Sequence, residues 1–183
     1  MSTNTSGSPV LSLLIPIYNV QRYLRECLDS ALAQTLKDIE IICINDGSTD
    51  NSPAIIREYM ERDRRVKMID KANSGYGDSM NHGLEMARGE YVGILESDDF
   101  MFEDSLQKLV AKADTEHADV VKGDFYLYWS TPSERRELFG IIDEHMTDAA
   151  YRPVDRPGIF YRKPSIWSAI YRREFLNDDQ IRF

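Results

Sequence analysis

The sequence predicts an α/β fold, a mainly parallel sheet flanked by helices, and three observations carry that reading. Strand-length apolar runs alternate with stretches whose apolar residues recur at helical spacing. The runs are nearly continuous in apolar character, as strands buried on both faces are. Two of them end in acidic turns, Asn45-Asp46-Gly47-Ser48-Thr49-Asp50 and Glu96-Ser97-Asp98-Asp99. Ligands of open α/β sheets sit there, outside the carboxyl ends of the strands.

Leu11 to Tyr18 is the first strand. Val20, Leu24, Cys27, Leu28, Ala31 and Leu32 follow with helical spacing and give the first helix. Ile39 to Ile44 is the second strand. After its acidic turn, Pro53 sits where a first-turn proline is tolerated, and Ile55, Ile56, Tyr59 and Met60 form a helical stripe. Val66 to Ile69 is a short third strand. Asn73-Ser74-Gly75-Tyr76-Gly77-Asp78 is a turn, and the helix after it turns Met80, Leu84 and Ala87 inward, with Gly89 as its stop signal. Tyr91 to Leu95 is the fourth strand. Phe102, Leu106, Leu109, Val110 and Ala113 mark a fourth helix, and Asp119 to Trp129 contains a fifth, longer strand. Right-handed crossovers would join the parallel strands.

Residues 1–9 are rich in Ser, Thr, Asn and Gly and read as a disordered tail with no signal-peptide pattern, leaving residues 10–183 as one domain. Residues 130–158 are polar and aperiodic, which fits a surface excursion or a lid. From Tyr161 to Phe183, aromatic and basic residues interleave: Tyr161, Arg162, Lys163, Trp167, Tyr171, Arg172, Arg173 and Phe175. A packed helix with solvated Arg heads explains this mixture, and so does a surface for an acceptor sugar or an anionic polymer.

The chain has 183 residues, 42% of them hydrophobic, which suffices for one core. Its net charge of -9 argues against nucleic acid as a partner, and a phosphate ligand would have to arrive with a metal. The two cysteines, Cys27 and Cys43, have apolar neighbours and read as buried free thiols, which favours a reducing, cytoplasmic compartment. No apolar run is long enough for a membrane span, so any membrane association at the inner face would be peripheral. His82, His117 and His145 are isolated and read as surface or capping residues.

Three carboxylates crowd the end of the fourth strand, and so much negative charge needs a cation or a proton unless the residues simply cap the next helix. The turn after the first strand lacks Gly-x-Gly-x-x-Gly, which argues against a dinucleotide cofactor. No acidic pair closes that strand, which argues against a phospho-receiver. No Ser sits in a nucleophile elbow.

Five blocks then occur in order: Leu-Ile-Pro-Ile-Tyr-Asn-Val at 14–20, Asn-Asp-Gly-Ser-Thr-Asp at 45–50, Ala-Arg-Gly-Glu-Tyr-Val-Gly at 87–93, Glu-Ser-Asp-Asp at 96–99 and Ile-Trp-Ser-Ala-Ile-Tyr-Arg-Arg-Glu-Phe-Leu at 166–176. Together they resemble the inverting glycosyltransferases of family 2, which have the Rossmann-like GT-A fold, and the resemblance runs from Leu11 to Phe183. It implies a nucleotide-diphosphate-sugar donor, expected to be a UDP-sugar, and a divalent cation, Mg²⁺ or Mn²⁺. It also implies direct displacement by a saccharide or lipid-linked acceptor in the synthesis of a bacterial surface polysaccharide.

Carried over by position, the resemblance has Pro16, Tyr18 and Asn19 lining the nucleotide, with Tyr18 stacked on the base unless it fills core instead. Asp46 would accept from the base's ring N–H, a role compatible with shaping its turn. Asn73, Gly75 and Asn81 would approach the donor, Asn81 serving equally well as a cap. Asp98 would contact metal or ribose and Asp99 would be the adjoining metal ligand. Glu96 stands where the family usually has Asp. The general base is expected beyond Phe183, since Asp178 and Asp179 occupy the family's linker. The chain therefore reads as a donor-binding part cut short at its C-terminus, with weak transfer of its own. The alternatives are a nucleotide-sugar-binding module without transfer activity and a nucleotidyltransferase, which would open with a Gly- and Arg/Lys-rich turn in place of Pro16-Ile17-Tyr18-Asn19.

Overall fold

A computed structural model describes residues 7–140, 150–161 and 165–183. Residues 1–6 of the expected tail, together with His145, Arg162 and Lys163, lie outside the described residues. Leu11–Ile17 forms β1 and Ile39–Asp46 forms β2, and every residue of both strands is buried. Their near-continuous apolar sequence follows from that position, since only a strand covered on both faces has no solvent side to make polar. Val66–Lys71 (β3) and Tyr91–Ile94 (β4) flank them.

The main sheet has the order β3-β2-β1-β4-β8-β5, with Ala169–Arg172 as β8 and Val120–Lys122 as β5. Leu14 of β1 pairs with Ile42 and with Ile94, both in parallel register. Strand β8 runs antiparallel to both of its neighbours, so the sheet is mainly parallel with one reversed member. Strand order changes direction between β1 and β4, and the crevice at the carboxyl ends of these two strands is where an open α/β sheet takes its ligand.

Helices cover both faces. Leu11, Leu13, Ile15 and Ile17 of β1 point into a core shared with Leu24–Ala33 (α1), Ser52–Arg62 (α2) and Ser105–Glu116 (α4). Leu14, with Ile42 and Ile44 of β2, points the other way, onto Met80 and Leu84 of Tyr76–Met86 (α3) and Leu176 of Arg173–Asp178 (α5). This odd-even division along one strand builds three layers. Pro53 stands in the first turn of α2, as its spacing predicts. Both cysteines are free and buried. Burial pushes the Cys43 thiol up to about 12 and raises Cys27 as well.

The structure corrects several expectations. The long fifth strand is two elements: β5, and Phe125–Trp129 (β6), which leaves the sheet to pair with Arg135–Phe139 (β7) in a separate hairpin. Part of the aperiodic 130–158 stretch is therefore strand. Of the 161–183 stretch, for which a packed helix is one of two readings, residues 169–172 are strand β8 and residues 173–178 are α-helical. Gly89 is not a left-handed helix stop. A Cβ there would lie 2.4 Å from the Ser12 amide nitrogen, so glycine is required where the chain crosses the start of β1. Pro9 is buried and its carbonyl accepts from the Glu90 amide at 3.3 Å, so ordered structure begins before Val10. Among the described residues, no helix is long and apolar enough to cross a membrane.

Candidate functional site

The site grows from four strand ends. After β4, the Leu95 amide still donates to the Leu14 carbonyl at 3.0 Å, which keeps the chain alongside β1. The next four residues then close a turn, with the Asp99 amide donating to the Glu96 carbonyl at 3.0 Å. Asp98 and Asp99 are exposed, and neither carboxylate has a hydrogen-bond or ion-pair partner among the described residues. Helix α4 starts only at Ser105, behind Asp104, so residues 97–99 do not cap it. Loss of surrounding water, and then the Asp98 charge, raise the Asp99 pKa. Burial raises Glu96 too; a hydrogen bond from Tyr76 opposes the shift, and the charges of Asp98 and Asp99 add to it. This is a carboxylate cluster short of positive charge.

At the end of β1, Pro16 is buried and Tyr18 is 51% exposed. Tyr18 is therefore not core filling. Asn19 adopts φ 56°, a conformation that asparagine tolerates better than most residues. Its side-chain oxygen accepts from the amides of Thr49 at 2.8 Å and Asp50 at 3.3 Å, while its own amide donates to Ser48 Oγ at 3.1 Å. Asn19 thus ties the β1 turn to the β2 turn.

Asp46, at the end of β2, is only 5% exposed. Its Oδ1 accepts from Lys71 Nζ at 2.5 Å and from the Ser74 amide at 2.9 Å, and its Oδ2 accepts from the Gly75 amide at 2.9 Å. Burial opposes its charge, but Lys71 and the two amides outweigh burial and hold its pKa below the ordinary carboxylate value. Three of the roughly four acceptor positions of a carboxylate are taken, leaving one. Lys71 also pairs with Asp78 at 3.0 Å. Burial works against the ammonium, yet contact with Asp46 and Asp78 raises its pKa.

The third turn joins these pieces. Gly75 sits at φ 96°, a conformation that strains any side chain, and this turn brings its amide onto Asp46. A Cβ on Gly47 would lie 2.7 Å from the Asn73 nitrogen, so the second and third turns touch through a glycine. Tyr76 Oη donates to Glu96 Oε1 at 2.7 Å, linking the third turn to the acidic turn. Asn81 is engaged elsewhere: its amide group exchanges hydrogen bonds with the backbone of Phe183 at 3.1 and 2.9 Å.

Against known proteins, the profile described as Glycosyl transferase family 2 matches residues 12–178. The chain belongs to that family. Among relatives of the family, the uncharacterized glycosyltransferase EpsJ of Bacillus subtilis is 35% identical over 186 residues, covering 96% of this chain and 53% of EpsJ. The crystal structure of S. aureus TarS 1-349 in complex with UDP-GlcNAc superposes with a TM-score of 0.78 at 27% identity, covering 94% of this chain and 48% of TarS 1-349. The mannosyltransferase PcManGT from Pyrobaculum calidifontis, in complex with GDP-Man and Mn²⁺, has a TM-score of 0.66 at 19% identity over 97% of this chain and 48% of its own, a likeness of fold alone. The chain thus spans about half the length of EpsJ and of both solved chains. The fold is that of the GT-A glycosyltransferases.

In this family 2 chain, the structure brings Pro16, Tyr18, Asn19, Asp46, Asn73, Gly75, Asp98 and Asp99 to the carboxyl ends of β1 to β4. Asn81 lies one turn into α3, on Phe183. Sequence reasoning missed Lys71 and Tyr76. The third strand was expected to stop at Ile69, two residues short of Lys71, although Asp70-Lys71 continue its pairing opposite Asn45 and Asp46. His117 caps the C-terminus of α4 in the left-handed conformation, as an isolated histidine can. Among the described residues, no group of three or more His, Cys, Asp or Glu could hold a metal ion. The donor set nevertheless fits Mg²⁺ or Mn²⁺ bound to a diphosphate, since such ions take one or two carboxylates and fill their remaining positions with phosphate oxygens and water.

Proposed function

We propose that this chain is the donor-binding part of an inverting hexosyltransferase that takes a UDP-sugar together with Mg²⁺ or Mn²⁺. The observation that carries this reading is the pair of exposed carboxylates Asp98 and Asp99, without hydrogen-bond or ion-pair partners among the described residues, beside the β1/β4 switch point. Tyr18 offers an exposed ring on which the base stacks. Asp46, held ionised, has one acceptor position left for the base's ring N–H, and Pro16, Asn19, Asn73 and Gly75 form the walls. Asp98 and Asp99 hold the divalent cation, with Asp98 also within the ribose's approach. When bound, that cation neutralises charge on the diphosphate as it leaves.

In the transfer itself, an acceptor hydroxyl oxygen forms a bond to the anomeric carbon as the bond to the diphosphate oxygen breaks. Its proton passes to a general base expected in sequence after the block at 166–176. The acceptor is a saccharide or a lipid-linked saccharide, and the setting is surface polysaccharide synthesis in the cytoplasm at the inner membrane face. A thermal-shift panel of UDP-, GDP- and CDP-sugars with Mn²⁺ tests the reading. Selective stabilisation by UDP-sugars is expected, and equal stabilisation by all three classes would refute base selection at Tyr18 and Asp46.

A further inference from the structure

At the amino-terminal edge of the sheet, opposite the acidic turn, the starts of β2 and β3 and the segments following α1, α2 and α3 enclose an open basin of about 810 Å³. That volume falls within the range of small-molecule sites. Its lining carries Lys37, Arg62, Arg64, Arg65, Lys67 and Arg88. Asp38, Glu40 and Asp63 oppose them within the lining, and Glu58 pairs with Arg62 at 3.7 Å from just outside it, so six cations still face four carboxylates in a chain whose net charge is -9. Such a local reversal of sign attracts anions.

The floor of the basin is fixed. Glu40 is 3% exposed and accepts from Ser12 Oγ at 2.6 Å and from the Arg88 amide at 2.8 Å. It also pairs with Lys67 Nζ at 2.5 Å and Arg88 Nη2 at 3.3 Å. Two cations share this one carboxylate, so both are positioned and neither is fully neutralised. Arg65 is held by Asp63 at 2.9 Å and by the Leu32 carbonyl at 3.2 Å. On the rim, the Lys37 ammonium donates to the Gln34 carbonyl at 2.7 Å, and neither Lys37 nor Arg64 makes a direct ion pair among the described residues, although the Arg64 charge acts on Asp63.

Guanidinium forks match the spacing of phosphate oxygens, and charge-assisted bonds of this kind are the strong ones. We propose that this basin is a second ligand site, on the far edge of the sheet from the acidic turn, that takes a phosphate-bearing anion. The chemistry is shared by a soluble di- or oligophosphate and by an anionic lipid headgroup. It does not depend on the donor assignment.

The probe is inorganic pyrophosphate, titrated calorimetrically into the 183-residue chain in EDTA, which removes any cation-dependent binding at Asp98 and Asp99. Saturable binding is expected, weakening with salt. The double variant Lys37→Glu, Arg64→Glu should weaken it by about tenfold or more, the equivalent of one lost charge-assisted contact. Asp99→Ala should leave it unchanged. Both rim side chains are exposed, and Arg62→Gln provides a milder, independent variant with a smaller expected loss. Cosedimentation with phosphatidylglycerol-containing vesicles but not with phosphatidylcholine vesicles, competed by pyrophosphate, identifies a lipid headgroup as the source. Pyrophosphate binding without vesicle binding identifies a soluble phosphate. Absence of both, binding indifferent to the double variant, or binding abolished by Asp99→Ala would overturn the proposal.

Discussion

Tyr76 Oη donates to Glu96 Oε1 at 2.7 Å, joining the first residue of α3 to the acidic turn after β4. The bond favours the ionised form of Glu96 in a place where burial and two neighbouring carboxylates favour the protonated one. Tyr76→Phe removes only this bond. It should shift the Glu96 titration midpoint upward while lowering stability by about 1 kcal/mol or less, as expected for a single hydrogen bond. Carboxyl carbon NMR across an acid titration reads the first effect, and urea denaturation reads the second.

Asp46 and Lys71 form a pair beneath the surface, and Asp46→Asn leaves the Lys71 ammonium with Asp78 as its one ion-pair partner among the described residues, beside Ser74 Oγ and the Ala72 carbonyl. Loss of one member of a buried pair should destabilise the fold by roughly 1–3 kcal/mol. Adding Lys71→Met should recover part of that loss, because the ammonium no longer lacks its partner. The pH dependence has a definite sign. The Asp46 pKa is lower in the folded chain, so its contribution is present above the ordinary value of 3.8 and disappears as pH falls through the lower folded value. If Asp46 reads the base, Asp46→Asn also reduces the preference for UDP over CDP.

Glu96 and Asp99 carry the opposite sign. Their folded pKa values are raised, so protonation favours the folded state, and that advantage is lost as pH rises from about 4 through the folded values. A divalent cation competes with those protons. The thermal stabilisation given by Mn²⁺ should therefore grow as pH rises across this window and level off once the raised folded values are passed. Stabilisation independent of pH would move the cation away from these carboxylates.

Tyr18→Ala should weaken UDP binding by about 1–3 kcal/mol if the ring stacks on the base. The side chain is half exposed, so the unfolding midpoint should hardly move. A large loss of stability with unchanged UDP affinity would make Tyr18 a structural residue.

How far the sequence is legible depends on how far each signal is local. Strands β1 and β2 are plain because burial on both faces leaves them no polar side, and Asp98 and Asp99 are plain because charge interrupts an apolar run. Strand β8 is not plain. Ala169–Arg172 lies between β4 and β5, far from both in sequence, and four residues cannot distinguish a helical period from an alternating one. The β5/β6 division falls at Gly123, inside a stretch whose aromatic content reads as one continuous strand. Lys71 went unread because its meaning lies in its partner: only the pairing of β2 with β3 sets it opposite Asp46. Asn81 has the composition of a site residue, but its amide is taken by the Phe183 backbone, a contact across 102 positions.

Calorimetric titration of UDP into the 183-residue chain, first with Mn²⁺ and then with EDTA, tests the central claim most directly. Binding should be strong with Mn²⁺ and much weaker in EDTA. Asp98→Ala and Asp99→Ala should each remove roughly 1–3 kcal/mol of the Mn²⁺-dependent affinity while the chain stays folded. Equal affinity in Mn²⁺ and in EDTA would contradict a cation-mediated donor site at the end of β4.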